Sequence, residues 1–392
     1  MFSRITLLVV SLTPIVSGGV KTGQLIGMGG TDIAEGIYDI NLDTGFATLL
    51  LPFDFNPSEG ALAVAPDGTL YAAFSGDFDQ LVTIDLESGE VTYIGEFGYD
   101  DVSGLSFAPN GKLFGTDSTS PHNLIQIDLA TGQGHTIGPL GYIVSSGLSF
   151  APDGVLYGLG RIVAEDEMTL WTVDTDSGAG TLVGFLVEIG GEHGEIFAGT
   201  AMSFVGDTLY VCAGWIYFKL RRISLYTVDT ETALATRIGS FTKDEQGSMA
   251  GMAFLPGPGD VDRDGDVDED DFAIFEMCYT GPIDDPEGDP LSPACIFLDT
   301  DDDNDIDCAD FADFIEAWTE DTDPPVFAPC ACEGDANGDG KVDPLDSGYV
   351  LARFGCPVGT GDPDCDAADV NGDGAVDPLD TGYVLARFGT CE

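Results

Sequence analysis

The sequence predicts a mainly β fold, roughly a five-bladed β-propeller, followed by two small α-helical modules that carry acidic loops. Three observations support this prediction. A repeat rich in β-branched and aromatic residues recurs before residue 256, and its most regular copies start 43 residues apart, at 61, 104 and 147. After a Pro-Gly boundary at 256–259, Asp-rich loops alternate with short helical segments. Hydrophobic residues make up 43% of the chain, which suffices for folded cores despite a formal net charge of −56.

The first residues indicate an export signal. Arg4 precedes a mostly apolar stretch over residues 5–16, and Ser17 and Gly18 are small enough for cleavage. We therefore expect a signal peptide over residues 1–18 and a protein that is secreted, extracellular or at the cell surface. The apolar stretch is too short for a membrane span. The net charge of −56 repels nucleic acid and anionic membranes and attracts cations.

Residues 19–256 contain two half-repeats that alternate along the chain. The first half reads ALAVAPDGTLY at 61–71, and further copies start at residues 104, 147, 201 and 251. The second half is a β-branched run that ends in a turn signal, and its copies start at residues 38, 82, 125, 171 and 226. Such runs are strands joined by tight turns, and four short strands in every 43 to 55 residues are typical of a propeller blade.

The order of the half-repeats predicts how the ring closes. This region starts with a second half and ends with a first half from Gly251, so its two ends complete one blade together. Closure of this kind removes exposed sheet edges. Five blades follow, with a sixth, degenerate blade left open. Strands crowded around an axis need small residues, and the first halves supply them at Ala61, Gly104, Gly147, Ala201 and Gly251.

A twelve-residue loop motif begins at Asp335 and returns at Asp369. Oxygen-bearing side chains occupy positions one, three, five, nine and twelve, Gly stands at position six where the chain turns, and position seven needs only its backbone carbonyl. Ca²⁺ takes six to eight oxygen ligands, which this alternation supplies. The predicted ligands are Asp335, Asn337, Asp339, Lys341, Asp343 and Asp346 in one loop, and Asp369, Asn371, Asp373, Ala375, Asp377 and Asp380 in the other.

Each of these loops is followed by nearly the same helical segment. It reads YVLARFG at 349–355 and at 383–389. Asp343 and Asp377 are the predicted N-caps of these helices, because a proline follows each of them at the first helical position.

This duplicated loop and helix, with Asp rather than Glu at the twelfth position, resembles the type I dockerin domain over residues 330–392. The resemblance implies a calcium-dependent pair of antiparallel helices that docks onto a cohesin-like protein module. Many cellulosomal dockerins have a hydroxyl pair just before the twelfth position. Here the corresponding candidates for partner binding are Pro344, Leu345, Pro378 and Leu379. Because both halves carry the same residues, docking in two orientations is conceivable.

A more degenerate pair of loops occupies residues 260–320 and also resembles dockerin repeats. Its second loop has Asn304 at the sixth position, a residue that tolerates left-handed backbone. The predicted ligands are Asp260, Asp262, Asp264, Asp266, Asp268 and Asp271, then Asp299, Asp301, Asp303, Asp305, Asp307 and Asp310. An acidic turn without metal is the alternative for each of the four loops. Residues 321–329 are Pro-rich and predict a stiff linker.

Eight of the nine cysteines lie between residues 278 and 391, and an even number in an exported region predicts disulfides. Their places beside the loops favour Cys278 with Cys295, Cys356 with Cys365, and Cys330 or Cys332 with Cys391. The ninth, Cys212, is expected to be a buried thiol in a strand.

Two functions fit the propeller. The first is a binding module for protein partners or glycans, tethered by the dockerin-like modules. The second is a polysaccharide-active enzyme, a glycoside hydrolase or a lyase, with its active site on propeller loops, because the resemblance implies a link to polysaccharide breakdown; of the two, a hydrolase of O-glycosyl bonds is the enzyme we would expect. We expect the first, since no nucleophile elbow, phosphate loop or zinc spacing is present. Weak catalytic candidates are Glu59, Asp101, Glu192 and Glu195, with His193 in a loop and an aromatic segment at 215–222 that is more simply a long hairpin.

Overall fold

The structure is a computed structural model. It describes residues 23–29, 33–53, 60–74, 80–99, 101–162, 167–190, 196, 198–217, 220–243, 247–281, 291–292, 295–300, 304–319, 325, 327, 330, 334–337, 341–359, 363–386 and 389–390. The chain forms two compact units. The first comprises residues up to Pro256 together with Arg263–Gly265, and the second comprises Gly257–Asp262 together with Asp266–Glu392.

Twenty-one strands lie among the described residues of the first unit. They are β1 (Gln24–Gly29), β2 (Gly36–Ile40), β3 (Ala47–Pro52), β4 (Ala61–Val64), β5 (Leu70–Phe74), β6 (Gln80–Ile84), β7 (Val91–Glu96), β8 (Val102–Phe107), β9 (Leu113–Asp117), β10 (Asn123–Ile127), β11 (Gly134–Pro139), β12 (Ile143–Phe150), β13 (Leu156–Arg161), β14 (Thr169–Val173), β15 (Gly180–Phe185), β16 (Val187–Glu188), β17 (Ala198–Val205), β18 (Thr208–Tyr217), β19 (Leu220–Val228), β20 (Leu234–Ser240) and β21 (Met249–Leu255).

These strands form a five-bladed propeller, as the repeats predict. The blades are the sheets β4–β7, β8–β11, β12–β15, β17–β20 and β21-β1-β2-β3. In the last sheet, β21 pairs antiparallel with β1, so the two ends of the region close the ring in one blade. The short strand β16 pairs in parallel with the outer strand β20. Within the fourth of these blades, Trp215 pairs with Arg222, which confirms the long hairpin expected at 215–222.

The first strands of the blades contact one another around the axis. A methyl group at Gly251 would lie 2.6 Å from the backbone nitrogen of Leu62, so the small residues expected there are required. Leu62, Leu105, Leu148 and Met202 help to fill the axis and leave a cavity of about 10 Å³. That volume holds at most about one water molecule, so these side chains nearly fill the axis at this level.

The repeated Asp residues of the blades are turn residues, as predicted. The Asp174 carboxylate accepts hydrogen bonds from the Ser177 N–H (2.7 Å) and hydroxyl (2.6 Å). These bonds hold the pKa of the Asp174 carboxyl below its usual value. Asp85, Asp128 and Asp229 repeat the arrangement. Each turn fixes the end of a third strand at one end of its blade.

Glycines on the outer strands allow the blades to approach one another. A methyl group at Gly95 of β7 would lie 1.8 Å from the carbonyl oxygen of Thr131, in the turn of the next blade. Gly138 and Gly239 meet the turns at Ser177 and Thr44 in the same way. Because backbone meets backbone here, no side chain fits, and this recurrent contact is a feature that the sequence analysis missed.

The second unit contains five helices among its described residues. These are α1 (Glu269–Cys278), α2 (Cys308–Glu316), α3 (Pro344–Ala352), α4 (Pro363–Ala368) and α5 (Pro378–Leu385), with a 3-10 turn at Ile296–Leu298. The strands β22 (Lys341–Val342) and β23 (Gly389–Thr390) pair antiparallel. We call the loops 260–271 and 299–310 with α1 and α2 the first pair, and the loops 335–346 and 369–380 with α3 and α5 the second pair. Each pair has its own apolar cluster.

Three disulfides lie among the described residues. Cys278–Cys295 and Cys356–Cys365 confirm two of the predicted pairs. The alternative that joins Cys330 to Cys391 is wrong, because Cys330 is bonded to Cys308 at the start of α2. Cys330 and the nearby Phe327 pack into the aromatic cluster of the first pair, which places Cys330 beside that helix.

The ninth cysteine, Cys212, is a buried thiol in β18, as expected. The proposed partners Cys332 and Cys391 lie outside the described residues, as do the predicted signal peptide and most of the linker. Among the helices that the structure describes, none combines the length and apolar character needed to cross a bilayer.

Candidate metal sites

All four loops end at a helix that the ninth residue caps. The Asp343 carboxylate accepts a hydrogen bond from the N–H of Leu345 at 2.6 Å, and Asp377 accepts from Leu379 at 2.7 Å. Both predicted N-caps are therefore confirmed. Asp268 and Asp307 cap α1 and α2 in the same way. A capping carboxylate satisfies backbone N–H groups that have no partner inside the helix, and so ties the loop to the start of its helix.

The twelfth residue, Asp in every loop, closes the loop on itself. One oxygen of Asp346 accepts from the N–H groups of Ala336 (2.8 Å) and Asn337 (3.1 Å), near the start of the loop. The other oxygen accepts from the Asp343 N–H at 2.8 Å. Asp271, Asp310 and Asp380 hold their loops through equivalent bonds. The sequence identified these residues as ligands but missed this second role, which the short Asp arm permits.

These twelfth residues are deeply buried, at 0 to 1% exposure, as is Asp260 at the first position of its loop. Burial raises the pKa of the Asp271 carboxyl above its usual value, and the N–H donors of Asp262, Asp268 and Val261 offset part of that rise. A buried carboxylate with several neighbouring acids is stabilised by a bound cation, because the cation lowers the repulsion between them.

The sixth residue takes the left-handed backbone that the loop needs. The φ angles are +103° at Gly265, +70° at Asn304 and +90° at Gly374. Asn304 therefore replaces glycine here, as the sequence analysis expected. The chain then folds around the first residue, since the Asn304 N–H donates to Asp299 at 3.0 Å and the Gly374 N–H donates to Asp369 at 2.8 Å.

Carboxylates converge in the first pair. Three groups of aspartates each offer one oxygen per residue within 4.8 Å of the others, namely Asp260 with Asp262 and Asp264, Asp266 with Asp268 and Asp271, and Asp305 with Asp307 and Asp310. Carboxylate oxygens are the ligands that Ca²⁺ prefers. The predicted ligands Asp301, Asp303 and Asp339 lie outside the described residues.

The second pair presents apolar side chains on its helices. Leu345 and Leu379, predicted to bind a partner, are 65% and 66% exposed. Leu351 and Leu385 are also largely exposed, and the sequence analysis did not identify them. The signal was available, because the segment YVLARF occurs in both repeats.

Residues 333–387 match the dockerin type I domain family. The loops, caps and exposed helix residues of the second pair thus belong to a dockerin domain. A comparison with curated protein sequences finds no match. The first pair lies outside the matched segment.

Several solved structures resemble this chain at low identity. They include hydrazine synthase of Kuenenia stuttgartiensis (15% identity, 53% of this chain and 61% of that chain, TM-score 0.35), the nidogen/laminin complex (16%, 59% and 98%, 0.41) and a structural genomics protein of unknown function from Bacteroides thetaiotaomicron (12%, 63% and 67%, 0.42). The chain spans less than two thirds of the hydrazine synthase chain. With TM-scores below 0.5, these likenesses carry no functional argument.

The weak catalytic candidates of the propeller do not form a described site. Glu59, Glu192, Glu195 and His193 lie outside the described residues. Asp101 lies just before β8, and its backbone carbonyl accepts a hydrogen bond from the Ser118 N–H at 2.8 Å.

Proposed function

We propose that this protein is a secreted calcium-binding protein whose dockerin domain tethers it to a cohesin-like protein module. The proposal is carried by one observation: a dockerin family match over 333–387 coincides with loops in which buried carboxylates close each loop and cap its helix. The propeller is the tethered part, and it acts as a binding module.

The chemistry of the loops fits calcium. The predicted side-chain ligands are carboxylate or amide oxygens, and the seventh residue adds a backbone carbonyl, a set of hard donors that suits Ca²⁺. The ion supplies positive charge among carboxylates that otherwise repel one another. We propose the residues predicted above as the ligands in all four loops.

The first turns of helices α3 and α5 connect calcium binding to tethering. Asp343 and Asp346 belong to the loop, yet their carboxylates also hold the first turn of α3. Leu345 stands in that same turn. Ordering the loop therefore orders the exposed leucine, and the same holds for Asp377, Asp380 and Leu379 in α5. A cohesin-like partner that covers Leu345 or Leu379 gains the free energy of burying a large apolar side chain.

Two further features support the remaining parts of the proposal. The disulfides favour an oxidising compartment and thus export. The filled axis of the propeller favours binding at its surface over chemistry in a central cavity. Protein partners and glycans are both proposed as ligands of that surface.

The tether is tested with the full-length chain and a panel of immobilised type I cohesin modules. We expect retention in CaCl₂ and release in EGTA. The double variant Leu345→Asp, Leu379→Asp removes both apolar contacts, and we expect at least about a thirtyfold loss of affinity, as for loss of an interface hot spot. Calorimetry on the same sample measures calcium uptake, which the variant should keep.

Met277→Asp is the matched control, since Met277 is an apolar residue of the first pair and is 78% exposed, more than either leucine. It should leave cohesin binding unchanged. Retention that ignores EGTA, or a double variant that binds like the wild type, contradicts the proposal. The propeller is tested separately on a polysaccharide panel, where retention without release of reducing ends is the expected result.

A further inference from the structure

In the first pair, the chain after each helix reaches the loop of the other repeat. Thr280 follows α1 and its N–H donates to the carbonyl of Ile306 at 3.0 Å. Thr319 follows α2 and its N–H donates to the carbonyl of Val267 at 3.1 Å. Val267 and Ile306 are the eighth residues of their loops, and both are fully buried. The contact is therefore crossed: the end of α2 holds the first loop, and the end of α1 holds the second.

The two threonine hydroxyls add a second bond on each side. The Val267 N–H donates to the Thr319 hydroxyl at 2.8 Å, and the Ile306 N–H donates to the Thr280 hydroxyl at 2.9 Å. The hydroxyl oxygens also lie 3.2 Å and 3.3 Å from the carbonyl oxygens of Val267 and Ile306. One threonine thus pairs both backbone polar groups of one buried residue. We call this arrangement the threonine clasp.

The clasp acts on a peptide group that faces the loop. The N–H of the eighth residue and the carbonyl of the seventh belong to one planar trans peptide, so they point in opposite directions. Holding the Val267 N–H towards Thr319 turns the Asp266 carbonyl away from Thr319. The same reasoning links Thr280, through Ile306, to the Asp305 carbonyl. These seventh-position carbonyls are the backbone ligands expected of such loops.

We propose that Thr319 and Thr280 are positioning residues that orient the seventh-position carbonyls of Asp266 and Asp305, so that each helix end sets the calcium affinity of the other repeat's loop. This inference rests on the calcium binding proposed above. The dockerin domain provides an internal contrast. Gly355 takes the equivalent place there, and its N–H reaches the Val376 carbonyl at 2.9 Å, but it has no hydroxyl to hold the Val376 N–H.

The test is a calcium titration of the full-length chain, monitored by NMR. The amide signals of Gly265 and Asn304, the sixth residues of the two loops, report binding at each loop. Thr319→Val keeps the shape and the backbone bond but removes the hydroxyl. We expect it to weaken calcium binding at loop 260–271 by about tenfold, as for loss of an outer-shell partner, and to leave loop 299–310 within about twofold. Thr280→Val should do the reverse.

Thr319→Ser and Thr280→Ser retain the hydroxyl and should restore wild-type affinity. Amide exchange in calcium-free protein gives a second measurement: Thr319→Val should speed exchange at Val267 and not at Ile306. The inference is overturned if calcium affinity falls only in the loop of the repeat that carries the substitution. It is also overturned if affinity falls equally in both loops or does not fall at all. If the wild-type loops take up no calcium, the proposed function itself fails, and the titration shows this before any variant is made.

Discussion

The first pair and the dockerin domain share a loop, a cap and a helix, yet different interactions hold them together. The first pair has an aromatic core in which Phe275, Phe311 and Phe314 are almost fully buried. Among the described residues, the buried cluster of the dockerin domain consists of alanine and valine side chains, with Tyr349 among the partly buried residues packed against it; the buried members are Ala336, Val342, Val350, Ala368, Val376 and Val384. Burial of apolar surface is the main source of folding stability. The larger core should therefore stabilise the first pair much more than the dockerin domain, in a segment of similar length.

Covalent and polar links follow the same division. Two disulfides, Cys278–Cys295 and Cys308–Cys330, belong to the first pair, whereas the described part of the dockerin domain has Cys356–Cys365. The threonine clasp is likewise confined to the first pair. The exposed leucines have the opposite distribution, since Asp270 and Ala309 stand where the dockerin domain has Leu345 and Leu379. The loop motif thus predicts calcium binding in both pairs, and we expect the core to decide which of them needs the metal to fold.

Removal of calcium should produce the largest difference between the two pairs. In EGTA, we expect α3 and α5 to lose amide protection, because the small core described for this domain does not offset the repulsion between the loop carboxylates. Helices α1 and α2 should stay protected. Hydrogen exchange on the full-length chain measures both at once. Equal loss of protection in both pairs would show that the aromatic core does not make the first pair independent of calcium.

Truncation of the aromatic core should make the folding of the first pair depend on calcium. Phe275→Ala removes a fully buried ring whose centroid lies 5.3 to 5.8 Å from those of Phe311, Phe314 and Phe327, in tilted and edge-on contacts. We expect the free energy of unfolding of the first pair to fall by about 3–5 kcal/mol. Denaturant titration in EGTA measures this free energy. Met277→Ala, on the same helix but 78% exposed, should change it by less than about 0.5 kcal/mol. Similar losses from the two variants would argue against the core as the cause.

The Cys308–Cys330 disulfide of the first pair should contribute a somewhat smaller amount. Cys308 and Cys330 are 22 residues apart in sequence, and closing a loop of that size stabilises a folded state by about 3 kcal/mol through the entropy of the unfolded chain. The double variant Cys308→Ser, Cys330→Ser should lower the unfolding free energy of the first pair by about that amount. The dockerin domain serves as the control in the same titration with calcium present, and its transition should not move.

The sequence predicted the features that depend on neighbouring residues. The blades follow from strand runs and turn residues such as Asp174, the ring closure follows from the order of half-repeats, and the caps follow from Asp-Pro pairs at fixed loop positions. The missed features join residues far apart in the chain. Cys308 rather than Cys391 bonds Cys330 because an aromatic core brings them together, and the clasp between Thr319 and Val267 needs the packing of two repeats. No local pattern specifies such contacts.

The smallest effect concerns the sixth loop position, where the two pairs differ by one residue. Gly374 has φ +90°, and a methyl group there would meet nothing within 4 Å, so Gly374→Ala tests the backbone alone. We expect a loss of about 1–2 kcal/mol in the calcium-loaded dockerin domain, the usual cost of left-handed backbone for a residue with a Cβ. At Asn304, with φ +70°, replacement by Ala should cost about as much, and replacement by Gly close to nothing, because asparagine already tolerates this conformation. Thermal unfolding of the three variants measures the differences, and a stabilised Asn304→Ala would mean that the asparagine side chain, rather than its backbone, sets the behaviour of that loop.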